Sequence, residues 1–101
     1  IFDNFSRPGG RKNISWLKQH HAGTIHVIDG DIRTDREKLD FGVKNADLIL
    51  HLAGQVAVTS SVVDPVTDFD INARGTLNIL ESVRLSGHNP VFIYSSTNKV
   101  Y

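Results

Sequence analysis

Four short apolar runs, each stopping at a small or polar residue and each followed by a polar or amphipathic stretch, constrain this chain more than any other feature. The first is a stub, Ile1-Phe2, closed by Asp3. The second, Thr24-Ile25-His26-Val27-Ile28, is rich in β-branched residues and ends in Asp29-Gly30-Asp31. The third, Asp47-Leu48-Ile49-Leu50-His51-Leu52, is nearly continuous in apolar character, as strands covered on both faces are. The fourth is Val91-Phe92-Ile93-Tyr94, ending in Ser95-Ser96-Thr97. Short β-rich runs bounded by turn residues predict strands.

The intervening stretches predict helices. Ile14, Trp16 and Leu17 give a rough helical period that Gly23 closes. Thr34-Asp35-Arg36-Glu37 has capping-box spacing and predicts a short helix to about Lys44. Residues 53–61 read as a loop of small residues. Asp64-Pro65 then starts the longest helix, with Asp64 as cap and proline at the first helical position. Val66, Phe69, Asn72, Ala73, Thr76, Leu77, Leu80 and Val83 recur at helical spacing until Gly87. Strands alternating with helices imply right-handed crossovers and an α/β fold, a doubly wound parallel sheet in three αβα layers.

Composition removes several function classes. Eleven basic and eleven acidic side chains leave the 101-residue chain formally neutral, which argues against nucleic acid as a partner. No apolar run approaches the ~20 residues of a membrane span. With no cysteine there is no disulfide or thiol chemistry, which suits a reducing cytoplasm. The five histidines are not at metal-ligand spacing, so no metal site is expected. The chain opens on Ile1 and stops just past a strand and a short polar loop, and reads as an interior piece, 1–101, of a longer protein.

In doubly wound sheets ligands bind beyond the carboxyl ends of the strands. That rule selects four segments: Asp3-Asn4, Gly30-Asp31-Ile32, Ala53-Gly54-Gln55 and Ser95-Ser96-Thr97. Asp3 can accept both hydroxyls of an adenosine ribose, or simply start a turn with Asn4. Asp31 can accept from an adenine amino group under the cover of Ile32, or lead a helix as a solvated turn residue. Ala53-Gly54 lets a pyrophosphate or ribose approach the main chain, or makes a tight turn. The serine and threonine hydroxyls can bond a substrate alcohol, or cap a polar loop. Asn72 is an amide on an otherwise apolar helix face, and a buried asparagine left unbonded costs roughly 1–3 kcal/mol.

Taken together, the segments resemble the extended short-chain dehydrogenase/reductase family, in its NAD-dependent nucleotide-sugar epimerase/dehydratase branch. The matching stretches are Asp3-Asn4-Phe5-Ser6-Arg7, Gly30-Asp31-Ile32-Arg33 and His51-Leu52-Ala53-Gly54-Gln55-Val56-Ala57-Val58. They continue with Asp70-Ile71-Asn72-Ala73-Arg74-Gly75-Thr76-Leu77-Asn78 and Tyr94-Ser95-Ser96-Thr97-Asn98-Lys99-Val100-Tyr101. Within the branch, the stretch from Tyr94, with Gln55 to Val58 and Asp3 to Arg7, is most similar to CDP-sugar 2-epimerases.

The resemblance implies a Rossmann-like domain, present here in part, with NAD as cofactor. Asp3 and Asn4 would hold the adenosine ribose; Asp31 and Ile32 would meet the adenine. Leu52, Ala53, Gly54 and Gln55 would line the cofactor, and Asn72 would order the site. Arg7 is near enough in sequence to meet a 2′-phosphate. Thr97 would act beside a catalytic tyrosine of a Tyr-x-x-x-Lys pair. Neither that pair nor the family's glycine-rich loop occurs in these residues, so the piece alone is expected to be inactive. The resemblance further implies a nucleotide-sugar substrate, here a CDP-sugar, and a homodimer. A 4-epimerase, a 4,6-dehydratase or a non-catalytic dinucleotide-binding module are the alternatives.

Overall fold

A computed structural model describes residues 1–97. Its elements run β1 (Phe2–Asp3), α1 (Gly10–His20), β2 (Ile28–Asp29), α2 (Arg36–Val43), β3 (Leu48–His51), α3 (Val58–Val63), α4 (Pro65–Phe69), a π-helical turn (Asp70–Arg74), α5 (Gly75–Ser86) and β4 (Val91–Tyr94). The alternation of strand and helix is the predicted one. Both strand pairings are parallel: Phe2 opposes Ile28 and Asp3 opposes Asp29, while Leu48 to His51 oppose Val91 to Tyr94 in step.

The two pairs are not hydrogen-bonded to each other. The doubly wound order 3-2-1-4-5-6 would accommodate the β2-β1 pair at places 3-2 and the β3-β4 pair at places 4-5. No strand among the described residues fills the place between them. Leu48, Leu50, Val91 and Ile93 accordingly keep 49–62% of their surface, so cover on both strand faces is not realised within these residues.

The longest helix begins as its sequence requires. Pro65 occupies the first turn and Asp64 Oδ1 accepts from the Thr67 amide at 3.1 Å. Gly87, at φ 73°, ends it in the left-handed conformation that costs glycine least. Between those ends the helix is not uniform. At Asp70–Arg74 it widens into the π-turn, where the Gly75 amide reaches back five residues to the Asp70 carbonyl. The small apolar core lies where α2 meets α5, with Leu39, Val43 and Ile79 buried.

Three local expectations are corrected. The second strand is shorter and later than 24–28, because only Ile28 and Asp29 find a partner in the two-residue β1. The cap of α2 is Asp35, not Thr34, and it does not cap its own helix: Asp35 Oδ2 accepts from the Asp31 amide at 2.7 Å. Residues 53–61 are not all loop, since Val58 begins α3 despite its β-branched content. Asn98, Lys99, Val100 and Tyr101, the end of the last matching stretch, lie outside the described residues.

Candidate functional site: the strand-end loops

Because each strand pair is parallel, the loops that follow a pair's two strands leave from the same end of that pair. Side-chain amides then stitch these loops together and to the long helix. After β1, Asp3 Oδ1 accepts from the Phe5 amide at 2.7 Å, and Asn4 Oδ1 accepts from the Ser6 amide at 3.1 Å. Those bonds hold a tight turn in which Phe5 takes φ 52°, a left-handed conformation rare for a bulky side chain. Asp3 is exposed, and among the described residues no bond forms at its Oδ2.

Asn4 also crosses to the next loop, where its Nδ2 donates to Asp31 Oδ2 at 3.0 Å. Asp31 further accepts from the Arg33 amide (2.9 Å), Arg33 Nε (3.0 Å) and Arg33 Nη2 (2.8 Å). A carboxylate offers about four lone-pair positions, so all of Asp31's are engaged. An adenine amino group can reach Asp31 only if one donor gives way, and the neutral Asn4 amide is the weakest held.

The Arg33 guanidinium holds the Asp31 carboxyl far below the usual carboxylate range. The side chains of the pair are only 18% and 32% exposed. A depressed folded pKa means stability that is present above the unfolded value, about 3.9, and lost as pH falls below it. Asp31→Asn should therefore be destabilising at pH 7, with the gap to wild type narrowing below about pH 4. Thermal midpoints of both proteins across that range test this; a gap independent of pH would remove the ion pair from the stability of the fold.

Ile32 is half-buried and lies directly over Gly75. A Cβ at Gly75 would come 2.5 Å from Ile32 Cδ1, so only glycine permits this approach of loop to helix. Asn78, one turn along, donates its Nδ2 to the Ile32 carbonyl at 2.9 Å. The loop after β2 is thus docked on the start of α5.

The loop after β3 is docked on the π-turn that precedes α5. Asn72 Oδ1 accepts from the Gln55 amide at 2.8 Å, and a Cβ at Gly54 would sit 3.2 Å from that same oxygen. Gln55 is half-buried, whereas Leu52, Ala53 and Gly54 are exposed along the loop. Beyond them an open cleft of about 410 Å³ is lined by Gln55, Thr59, Ser60, Val63, Asp64 and Thr67. Thr97 follows β4 and is exposed.

These residues suit a dinucleotide. Asp3 offers a carboxylate oxygen at a strand end, and Gly54 keeps the main chain bare beside a fixed amide oxygen. Sequence reasoning singles out Asp3, Asn4, Asp31, Ile32, Gln55 and Asn72, and the structure joins Asn4 to Asp31 and Asn72 to Gln55. Sequence reasoning assigns no supporting role to Arg33, Gly75 and Asn78, which contact Asp31 and Ile32, nor to His51 and Thr76, which are hydrogen-bonded to each other and to the Asn72 carbonyl. The four-residue spacing of Asn72 and Thr76 is the available signal, since it stacks both on one helix face.

Comparison with known proteins agrees with this architecture. The family model described as GDP-mannose 4,6 dehydratase matches residues 2–101. CDP-paratose 2-epimerase of Salmonella typhi is 47% identical over 102 residues, covering 100% of this chain and 30% of that protein. Among solved structures, UDP-glucose 4-epimerase from Bifidobacterium longum, in complex with NAD⁺ and UDP, is 30% identical with a TM-score of 0.82. That match covers 99% of this chain and 30% of the other. The Thermus thermophilus UDP-glucose 4-epimerase complex with NAD is 31% identical with a TM-score of 0.70, covering 86% and 26%. The chain therefore spans between a quarter and a third of the length of such relatives. With strand-end loops in this arrangement and a family match along almost its whole length, the chain belongs to the nucleotide-sugar epimerase/dehydratase family of extended short-chain dehydrogenases/reductases.

Proposed function

We propose that these 101 residues are an interior part of the NAD-binding Rossmann domain of a CDP-sugar 2-epimerase. The observation that carries the reading is 47% identity to CDP-paratose 2-epimerase along the entire chain, through every loop that ends a strand. The unfilled place between the two strand pairs supports the domain assignment, because a further strand of the same protein completes the order there. The apolar strand faces left exposed would then be covered by the rest of the domain.

Bound NAD supplies a reversible hydride acceptor, which takes a sugar alcohol to a ketone and back. The residues of this chain bind and orient. Asp3 and Asn4 hold the ribose, Ile32 covers the adenine face beside Asp31, and residues 52–55 line the cofactor with Asn72 fixing their path. Thr97 hydrogen-bonds the sugar oxygen whose proton a tyrosine elsewhere in the protein removes. The same reading makes the intact protein a cytoplasmic homodimer.

Incubation of the intact protein with CDP-paratose, UDP-glucose and dTDP-glucose tests the assignment. Inversion at C2 of the CDP-sugar alone is the expected result; turnover of UDP-glucose alone would reassign the protein to the 4-epimerases. No turnover with NAD still bound would make it a binding module. Thr97→Ala should lower kcat at least tenfold, about 1.4 kcal/mol in the barrier, with Thr97→Ser retaining most of it. Unchanged turnover would take Thr97 out of the mechanism.

A further inference from the structure

The π-turn has a chain of three hydrogen bonds passing through it, and proton bookkeeping fixes its direction. Thr76 Oγ1 donates to the Asn72 carbonyl at 2.6 Å. A hydroxyl carries one proton, and a carbonyl can only accept. The 2.8 Å contact between Thr76 Oγ1 and His51 Nε2 must therefore use a proton that His51 supplies. His51, at the end of β3, keeps 3% of its surface and packs beside Phe92 and Tyr94 of β4. Burial pushes its pKa down, which favours the neutral ring, and the contact with Thr76 then places the ring's one hydrogen on Nε2.

The chain continues on the other side of Asn72, whose Oδ1 takes the Gln55 amide. One extra residue in a helical turn rotates the N-terminal part of the helix by about 100° relative to the C-terminal part. The π-turn thereby lets Asn72 face the loop after β3 while α5 keeps Ile79 and Ser82 buried beside α2. Back-bonding by a threonine hydroxyl to the carbonyl four residues earlier often bends a helix, and Thr76 does so at the end of this turn.

We infer that His51 is a positioning residue: its Nε2–H, acting through the Thr76 hydroxyl, holds the Asn72 carbonyl in the π-turn and so aims Asn72 Oδ1 at the Gln55 amide. The strand end and the loop beyond it, four residues apart in sequence, are tied a second time through the long helix. The consequence for cofactor affinity rests on the reading of residues 52–55 as part of an NAD site; the relay itself does not.

The test uses the intact protein with Thr76→Val, Thr76→Ser, His51→Leu and His51→Gln. Thr76→Val is nearly isosteric and keeps the claim testable if His51→Leu fails to fold. Two readouts are taken, NAD dissociation constants and amide hydrogen exchange resolved at Gln55, with the amides of α1 as a measure of global opening. The expected result is exchange at Gln55 at least tenfold faster in Thr76→Val and His51→Leu, with α1 unchanged. NAD should bind about tenfold more weakly in the same two variants, and Thr76→Ser and His51→Gln should restore both. Unchanged exchange at Gln55 in Thr76→Val would overturn the relay, as would equal acceleration at α1, which would mean a merely structural role. If wild-type protein does not bind NAD, the cofactor reading fails while the exchange data still decide the relay. Faster exchange at Gln55 with undiminished NAD affinity would overturn the functional half.

Discussion

Asp3→Ala is expected to weaken NAD binding by the intact protein roughly ten- to a hundredfold. A hydrogen bond from a hydroxyl to a carboxylate is worth about 1.5–3 kcal/mol when its loss leaves the partner unsatisfied, and each 1.4 kcal/mol is a factor of ten. Asp3 reaches this role through the turn that begins at it. Its Oδ1 is fixed by the Phe5 amide, so the carboxylate is oriented before any ligand arrives, and Oδ2 is left to accept. Asp3→Asn separates the two contributions. An asparagine oxygen can still take the Phe5 amide but carries no charge, so it should keep the turn and lose part of the affinity. NADP binding should fall less than NAD binding in Asp3→Ala, because a 2′-phosphate is repelled by the carboxylate the variant removes. Equal losses for both dinucleotides, measured by titration calorimetry, would contradict the ribose assignment.

How much of the fold is legible in the sequence depends on whether the information is local. Asp64-Pro65 and Gly87 mark the ends of the long helix correctly because caps act on adjacent residues. Leu48 to His51 and Val91 to Tyr94 are strands as their apolar runs require. The second strand departs from its expected extent because pairing, not propensity, decides where it stops. Thr24 to Val27 are β-rich, yet β1 offers only two partners. The capping box of α2 fails for a comparable reason. The amides of Thr34 and Asp35 both donate to the Asp31 carbonyl, so Thr34 is taken into the preceding turn and the helix starts one residue later than the spacing pattern places it.

The site divides in the same way. Residues at strand ends are found by topology alone, since a parallel sheet presents them together. The residues that hold them are not, because they act across long sequence separations. Asn78 serves the carbonyl of Ile32, forty-six residues earlier, and His51 serves a threonine twenty-five residues later. Asp31 is the converse case. The sequence offers it either to an adenine amino group or to solvent, whereas in the structure Arg33, two residues on, folds back over it and takes three of its four acceptor positions. The π-turn has no sequence signature, because Asp70 to Arg74 continue the apolar periodicity without a proline or glycine inside the turn.

Ile79→Ala should cost about 2–5 kcal/mol, the range for removing a buried aliphatic side chain that leaves a cavity. That is a large part of the roughly 5–15 kcal/mol by which folded domains commonly exceed their unfolded states. The core is small: Ile79 is 5% exposed, and Leu39 and Val43 are 4% and 5% exposed on the facing helix. With so few buried aliphatics, neighbours cannot close over a missing side chain without moving a helix. Ser82 Oγ, which donates to Asp40 Oδ1 at 2.5 Å, ties the same two helices and should matter less, about 1.5 kcal/mol on Ser82→Ala, because the half-exposed Asp40 carboxylate keeps Arg36 as a partner. Denaturant unfolding of the intact protein checks the order of the two. A lower midpoint at constant slope is expected for Ile79→Ala, and a loss below that of Ser82→Ala would mean the aliphatic seam is not the core. On the proposed reading of the site the seam also bears on binding, because α5 carries Asn78 under the loop after β2 and continues directly from the turn that carries Asn72. Loosening α5 against α2 therefore frees both loops at once, so NAD affinity should fall in Ile79→Ala. In Ser82→Ala, where the aliphatic seam stays closed, affinity should hold.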